Sequence, residues 1–276
     1  ARRHNVAVLP RGAGTSLAGQ TVGRAVVIDF SKYMRNILEL NAEEGWVRTQ
    51  PGIILDELNQ HLEPAGLHFA PDPSTSNRGN VGGALGNNSC GAHSITWGKT
   101  VDNVLEMQVV LSNGDQATLG QLDAQQLEAK KSSDTLEGEI YRRLSAIGVA
   151  NREEILARYP KILRRVGGYN LDEFTTGDGL DMARFVVGSE GTLLAITEAK
   201  LRIVSSPKMK ALAVLHFRDL IESMEATVAV LELEPAAVEL MDSMIIRQAR
   251  TNLEYSRKMD FIEGNPEAIL LVEVTG

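Results

Sequence analysis

Small residues with exposed backbone amides, rather than titratable side chains, are the chemistry-bearing feature near the start of this sequence. The apolar run Val6-Ala7-Val8-Leu9 meets Pro10 and then a loop with Gly12, Gly14 and Gly19, interleaved with Thr15, Ser16 and Gln20. A strand running into such a loop makes a cradle. Glycine tolerates positive φ and lacks Cβ, so successive N–H groups can converge on an anion while the small hydroxyls add donors. The natural guest is a phosphate or pyrophosphate. The spacing is not that of the doubly wound dinucleotide fold, because Gly19 lies five residues after Gly14 and Val26-Val27-Ile28 soon resumes a strand. No Gly-Lys-Ser/Thr follows, which excludes a nucleoside-triphosphate loop. A single glycine-rich turn is more often only a turn, so weight falls on whether there are others.

There are two more. Ala70 to Gly98 holds Pro71-Asp72-Pro73-Ser74, Gly79-Asn80-Val81-Gly82-Gly83, Asn87-Asn88-Ser89-Cys90-Gly91-Ala92-His93-Ser94 and Trp97-Gly98. A stretch of that length with little hydrophobic periodicity reads as a functional loop. The third, Gly188-Ser189-Glu190-Gly191-Thr192, lies between Arg184–Val187 and Leu193–Thr197, both expected as strands.

The reactive side chains are weaker signals. Cys90 is the only cysteine, which excludes an internal disulfide framework, a cysteine-rich zinc site and an iron–sulfur cluster within this stretch; packing is the better reading for it. For His93 a local loop hydrogen bond outweighs contact with a ligand, and Trp97 is balanced between stacking and core filling. Arg164 and Arg165, with Tyr169, offer a bidentate clamp for a substrate carboxylate, against the ordinary reading of solvated arginines. Glu239 and Asp242 are expected on one helix face, with no histidine near enough for a metal site. His216, inside an apolar strand pattern, reads as structural.

The elements that must position these groups follow from periodicity and turn signals. Strands are expected at Val26–Asp29, Ile37–Leu40 and Trp46–Thr49, then a helix from Ile53 to Leu62 stopped by Pro64-Ala65-Gly66. Val101–Leu111 reads as a strand with Asn113-Gly114 as a hairpin turn, and 115–135 as a polar surface excursion. Leu136 to Ile147 is an amphipathic helix closed by Gly148, and Asn151 caps another that ends at Pro160. Ala211–Phe217, 219–233, Ala236–Arg250 and 268–274 read as strand, helix, helix, strand. The fold class is α+β. With 276 residues, two domains are the better expectation, with a linker near Ser205-Ser206-Pro207. The net charge of −8 argues against a nucleic-acid surface, and no apolar run approaches the ~20 residues of a membrane span. A cytoplasmic setting fits. Ala1 without a methionine, and Ile269–Val274 as a strand with nothing after it, suggest an internal piece of a longer protein.

Together, Arg11-Gly-Ala-Gly-Thr-Ser-Leu-Ala-Gly-Gln20, Pro71-Asp-Pro-Ser74 with Gly79-Asn-Val-Gly-Gly83, and Gly188-Ser-Glu-Gly-Thr-Leu193 resemble the flavin domain of FAD-linked oxidases and dehydrogenases of the vanillyl-alcohol-oxidase type. Within it the likeness is to the branch of D-lactate dehydrogenase, glycolate oxidase subunit and D-2-hydroxyglutarate dehydrogenase. It covers about residues 1 to 205. The segments Asn87–Ser94, Trp97–Asn103 and Arg164–Glu173 resemble large members fused to an iron–sulfur domain, which would lie outside this chain.

The resemblance implies a two-lobed FAD-binding domain over 1–205, truncated at its N-terminus with the lobe break near 70–75, and a partial α+β substrate or cap domain over 206–276. It implies that Arg11, Gly12, Ala13, Gly14, Thr15, Ser16 and Gln20 hold the FAD pyrophosphate. Pro71, Asp72, Pro73, Ser74, Gly79, Gly82, Gly83, Asn87, Asn88, Ser89 and Gly91 would line the cofactor, with Glu190, Gly191, Thr192, Leu193 and Ile196 on the adenosine side. Thr15 stands where covalent relatives often carry histidine, so FAD is expected to be non-covalent. The implied activity is oxidation of a 2-hydroxy acid, with electrons passed to an iron–sulfur domain or a quinone chain. The alternative is a flavin-binding accessory subunit without substrate chemistry. A homodimer and a peripheral position at the inner membrane are compatible with this reading.

Overall fold

The computed structural model describes residues 1–175 and 179–276. It divides into two compact units, one of Ala1–Gly91 with Gly98–Ser205 and the other of Ala92–Trp97 with Ser206–Gly276. Both mix helices and strands, as the α+β expectation required.

The first unit is built on a six-stranded antiparallel sheet, in which Ile37–Asn41, Trp46–Thr49, Ala195–Arg202, Val104–Val110, Gln116–Leu122 and Leu180–Asp181 lie side by side. The register places Ala199, Met107 and Leu119 in one row, and all three are buried. Period-two alternation thus turns one face of the central strands inward. Onto it pack Leu55, Leu58 and Leu62 of the helix Leu55–Leu62, which recur at helical spacing. Phe69, Val81, Leu85, Tyr141 and Phe185 complete the same core.

A separate parallel pair, Val8–Arg11 with Val26–Asp29, brings Arg11 opposite Asp29. The strand runs through Pro10, which a two-stranded ribbon with open edges tolerates.

Several elements differ from the sequence reading. Within the supposed loop 70–98 lie the helices Val81–Asn87 and Ser94–Trp97. The polar stretch 115–135 holds the strand Gln116–Leu122 and the helix Ala124–Ser132, whose Asp123 and Gln126 form a reciprocal capping box. Residues expected as a strand at Arg184–Val187 instead form the helix Met182–Val186, capped by Asp181, whose carboxylate accepts from the Arg184 amide. A short run apolar on every side cannot distinguish a buried strand from a buried helical turn. The helix beginning at Leu136 continues past Gly148 to Ala150.

The second unit is a three-stranded antiparallel sheet in the order Lys210–Phe217, Ala268–Thr275, Ala237–Asp242, with the helices Leu220–Leu231 and Ser243–Thr251. The expected helix over Ala236–Arg250 is therefore a strand that becomes a helix at Asp242, whose side chain accepts from the Ile245 amide. Glu239 and Asp242 sit on that strand. An odd separation of three puts their side chains on opposite faces of the pleat rather than on one helix face.

Candidate functional site

The first glycine loop is rooted by the parallel ribbon. Arg11 Nη2 donates to Asp29 Oδ2 at 2.7 Å, and the Phe30 amide donates to the Arg11 carbonyl. The Ser31 hydroxyl and amide both donate to Asp29 Oδ1, at 2.6 and 2.9 Å. These Ser31 bonds, ahead of Arg11, hold the Asp29 carboxyl down at about 2. A depressed carboxylate stabilises the fold above its ordinary value near 3.8, and that contribution is lost as pH falls through the folded value of about 2. Asp29→Asn is therefore expected to be less stable than the native chain near neutrality, the gap closing between about pH 4 and about pH 2. Urea midpoints of the two proteins across that range check it, and a constant gap would contradict it.

Beyond this root the loop is short of partners. From Gly12 to Thr21 no backbone amide donates to an acceptor among the described residues. Gly14 and Gly19 have φ of 70° and 87°, the left-handed conformation that favours glycine.

The second glycine-rich stretch becomes a wall because of close packing. The Val81 and Gly82 amides donate to the carbonyls of Ile53 and Pro51. A Cβ on Gly82 would lie 2.6 Å from Pro51 Cβ, so only glycine lets the helix Val81–Asn87 approach that turn. The third loop docks on the far end of the same helix. Gly188 and Glu190 donate from their amides to the carbonyls of Leu85 and Gly86, and Asn87 Nδ2 donates to Glu190 Oε1 at 2.8 Å. Glu190 itself has a φ of 53°, unusual for a residue with a side chain.

The three loops thereby line one cleft of about 510 Å³, all of it within the first unit. Of the residues singled out from the sequence, Arg11, Gly12, Ala13, Gly14, Thr15, Ser16, Gln20, Pro73, Ser74, Gly79, Gly82, Gly83, Asn87, Asn88, Ser89, Glu190, Gly191 and Ile196 face it. Pro71, Asp72, Gly91, Thr192 and Leu193 do not line it. Gly91 packs against Asp72, where a Cβ would meet the Asp72 carbonyl at 2.1 Å, and Thr192 spends its hydroxyl on the Ser189 carbonyl. Asn88, although on the wall, accepts from the Val101 amide and serves to hold the chain there. Sequence reasoning gave no role to Asn80 or Val166, which are also on the wall; Cys90 and Leu194, inside the stretches 87–91 and 190–196 expected along the cofactor, line it as well.

The clamp residues lie elsewhere. Arg165 reaches both carboxylate oxygens of Asp172, at 2.9 and 2.8 Å, and stacks over the Tyr159 ring. Arg164 donates to the Gly91 carbonyl, and the Tyr169 hydroxyl pairs with Thr192 Oγ1. None of the three lines the cleft.

In the second unit, His93 finds no mere local loop bond. Its Nε2 lies 3.0 Å from Glu273 Oε1, and its ring leans on Trp97. Burial disfavours the Glu273 charge, yet the hydrogen bonds from His93 and Lys210 outweigh it and hold the carboxyl below its usual range. His216 is structural: Nδ1 faces the Val214 carbonyl while Nε2 accepts from the Glu263 amide.

The cleft's donor set suits an anion met by amides. Among the described residues no lysine lines it, and its arginine is already paired with Asp29. Two buried side-chain atoms on the wall, Arg11 Nε and Asn80 Oδ1, lack a partner among the described residues. A donor and an acceptor left open together suit a ligand that carries both phosphate oxygens and hydroxyls.

Comparison with known proteins meets this geometry. Residues 1–120 match the family described as FAD binding domain. Across these residues the chain is similar to an FAD-binding domain. It is 36% identical over 267 residues to D-2-hydroxyglutarate dehydrogenase of Escherichia coli, covering 95% of this chain and 26% of that protein. With its Pseudomonas putida counterpart the identity is 35%, over 100% of this chain and 28% of the relative. Glycolate oxidase subunit GlcD of Bacillus subtilis is 29% identical, over 99% of this chain and 47% of its own length. The chain thus spans about a quarter of the D-2-hydroxyglutarate dehydrogenases it matches. A solved alkyldihydroxyacetonephosphate synthase shares the fold of this chain, with a TM-score of 0.65 at 20% identity over 100% of this chain and 44% of that one. Among the described residues no helix is long and apolar enough to cross a membrane.

Proposed function

We propose that this chain is the flavin-binding portion of a dehydrogenase that oxidises a 2-hydroxy acid, and that it holds FAD without a covalent bond. The observation that carries the reading is the convergence of three separate glycine-bearing loops on one cleft whose first loop has unengaged amides. Amides of Gly12 to Ser16, with Gln20, bind the pyrophosphate; their aligned dipoles meet its charge where no lysine stands. Pro73, Ser74, Gly79, Gly82, Gly83, Asn87 and Ser89 form the long wall, and Glu190, Gly191 and Ile196 border the adenosine. The unit of residues 1–91 and 98–205 acts as the FAD-binding domain, and that of 92–97 and 206–276 belongs to a substrate or cap domain.

Bound FAD supplies the acceptor for a hydride leaving the α-carbon of the hydroxy acid. The protein's part is to hold and orient it. Electrons then leave to a separate acceptor, an iron–sulfur domain or a quinone chain, and use of a quinone would bring the protein to a membrane face. D-2-hydroxyglutarate is the first substrate to try, because that is the activity for which the relatives at 33–36% identity are named.

The purified protein is expected to take up one equivalent of FAD, released intact on denaturation, and the complete protein to lose its visible flavin band anaerobically with a D-2-hydroxy acid. FAD uptake without bleaching by any acid in a panel would leave an accessory flavin carrier as the reading. A sample that takes up no FAD would remove both.

A further inference from the structure

The wall between the first loop and the helix Val81–Asn87 holds one acceptor that the chain itself leaves unused. Asn80 is 2% exposed. Its Nδ2 donates to the Gly52 carbonyl at 2.6 Å; a carbonyl can only accept, so the amide orientation is set and Oδ1 remains as the acceptor. No donor reaches Oδ1 among the described residues.

Asn80 stands at the N-cap of the helix Val81–Asn87, the position where an asparagine oxygen ordinarily accepts from a helix amide. Here it makes no such cap. The side chain is turned instead toward Gly12, where a Cβ would lie 3.2 Å from Oδ1, and the glycine leaves that flank free of any side chain. Both residues line the cleft.

An ionised phosphate carries no proton to donate, so it cannot satisfy this atom. A hydroxyl can. We propose that Asn80 Oδ1 accepts a hydrogen bond from a sugar-alcohol hydroxyl of the bound cofactor, making Asn80 a specificity-determining residue that separates a polyol-bearing pyrophosphate from phosphate alone. The proposal rests on the FAD reading, and FAD offers two such groups beside its pyrophosphate, the ribityl chain and the adenosine ribose.

The test titrates the apo-protein with FAD, with FAD analogues each lacking one ribityl hydroxyl, and with analogues lacking a ribose hydroxyl, following flavin fluorescence. One analogue is expected to bind the native protein about tenfold more weakly than FAD, the loss from leaving a buried acceptor unpaired. In Asn80→Ala that penalty shrinks to less than about twofold, because the partner is gone; taking the ratio within each protein cancels any structural effect of the lost Gly52 bond. The analogue that suffers identifies the sugar. Equal binding of every analogue by the native protein, or a penalty unchanged in Asn80→Ala, overturns the assignment while FAD binding stands. No uptake of FAD by the native protein overturns the flavin reading, and this one with it.

Discussion

Gly52→Ala is expected to lower the unfolding free energy by about 3 kcal/mol, a large effect for a single methyl group. Gly52 is buried in the turn between the strand Trp46–Thr49 and the helix Leu55–Leu62. A Cβ there would lie 2.0 Å from the Phe30 carbonyl oxygen and 2.7 Å from that of Met34. Both obstacles are backbone, so no rotamer change relieves them. The Gly52 amide also donates to the Met34 carbonyl at 2.7 Å, and its own carbonyl accepts from Asn80. Moving the turn therefore breaks hydrogen bonds that fix Pro51 and Asn80 on the cleft wall. At a few degrees per kcal/mol for a protein of this size, the melting temperature should fall by about 10 °C. Thermal and urea unfolding measure it. A loss below about 1 kcal/mol would show that the turn can shift without the wall.

The cleft was readable from the sequence because its signal is local. Gly12, Gly14 and Gly19, the Gly79–Gly83 group and Gly188–Thr192 each announce a backbone that must turn tightly or approach another closely. What hid the helix Val81–Asn87 was the same property. Gly82, Gly83 and Gly86 give it poor intrinsic propensity, and its first two amides are held by Ile53 and Pro51, contacts invisible in sequence. The strand Ala237–Asp242 was hidden by ambiguity of period, since Val238, Leu240 and Met241 fit either a helix face or a pleat. Pairings such as His93 with Glu273, 180 residues apart, depend on topology alone. Asn80 had a visible cue, an asparagine at a helix start, but its importance lies in the cap it fails to make.

Gly14→Val should spare the fold and strike binding, the reverse of Gly52→Ala. Gly14 is exposed, and the nearest atoms to an added Cβ, on Arg11 and Thr21, are 3.8 Å away, so space is not the obstacle. Conformation is. Its φ of 70° is open to glycine at little cost, whereas a β-branched residue there costs about 1 to 3 kcal/mol. The loop makes few internal hydrogen bonds to hold it in place, so valine would relax to negative φ and swing neighbouring amides out of line. That leaves the melting temperature of the apo-protein within a degree or two of native. The strained conformation must then be regained on binding, so the FAD dissociation constant should rise by about ten- to a hundredfold. Gly14→Ala, with no branch at Cβ, should fall between the two. Flavin fluorescence titration alongside thermal unfolding of the three proteins separates the effects. Equal FAD affinity in all three would mean that the loop's left-handed turn has no part in holding the pyrophosphate, and the anion would have to be placed elsewhere along the cleft.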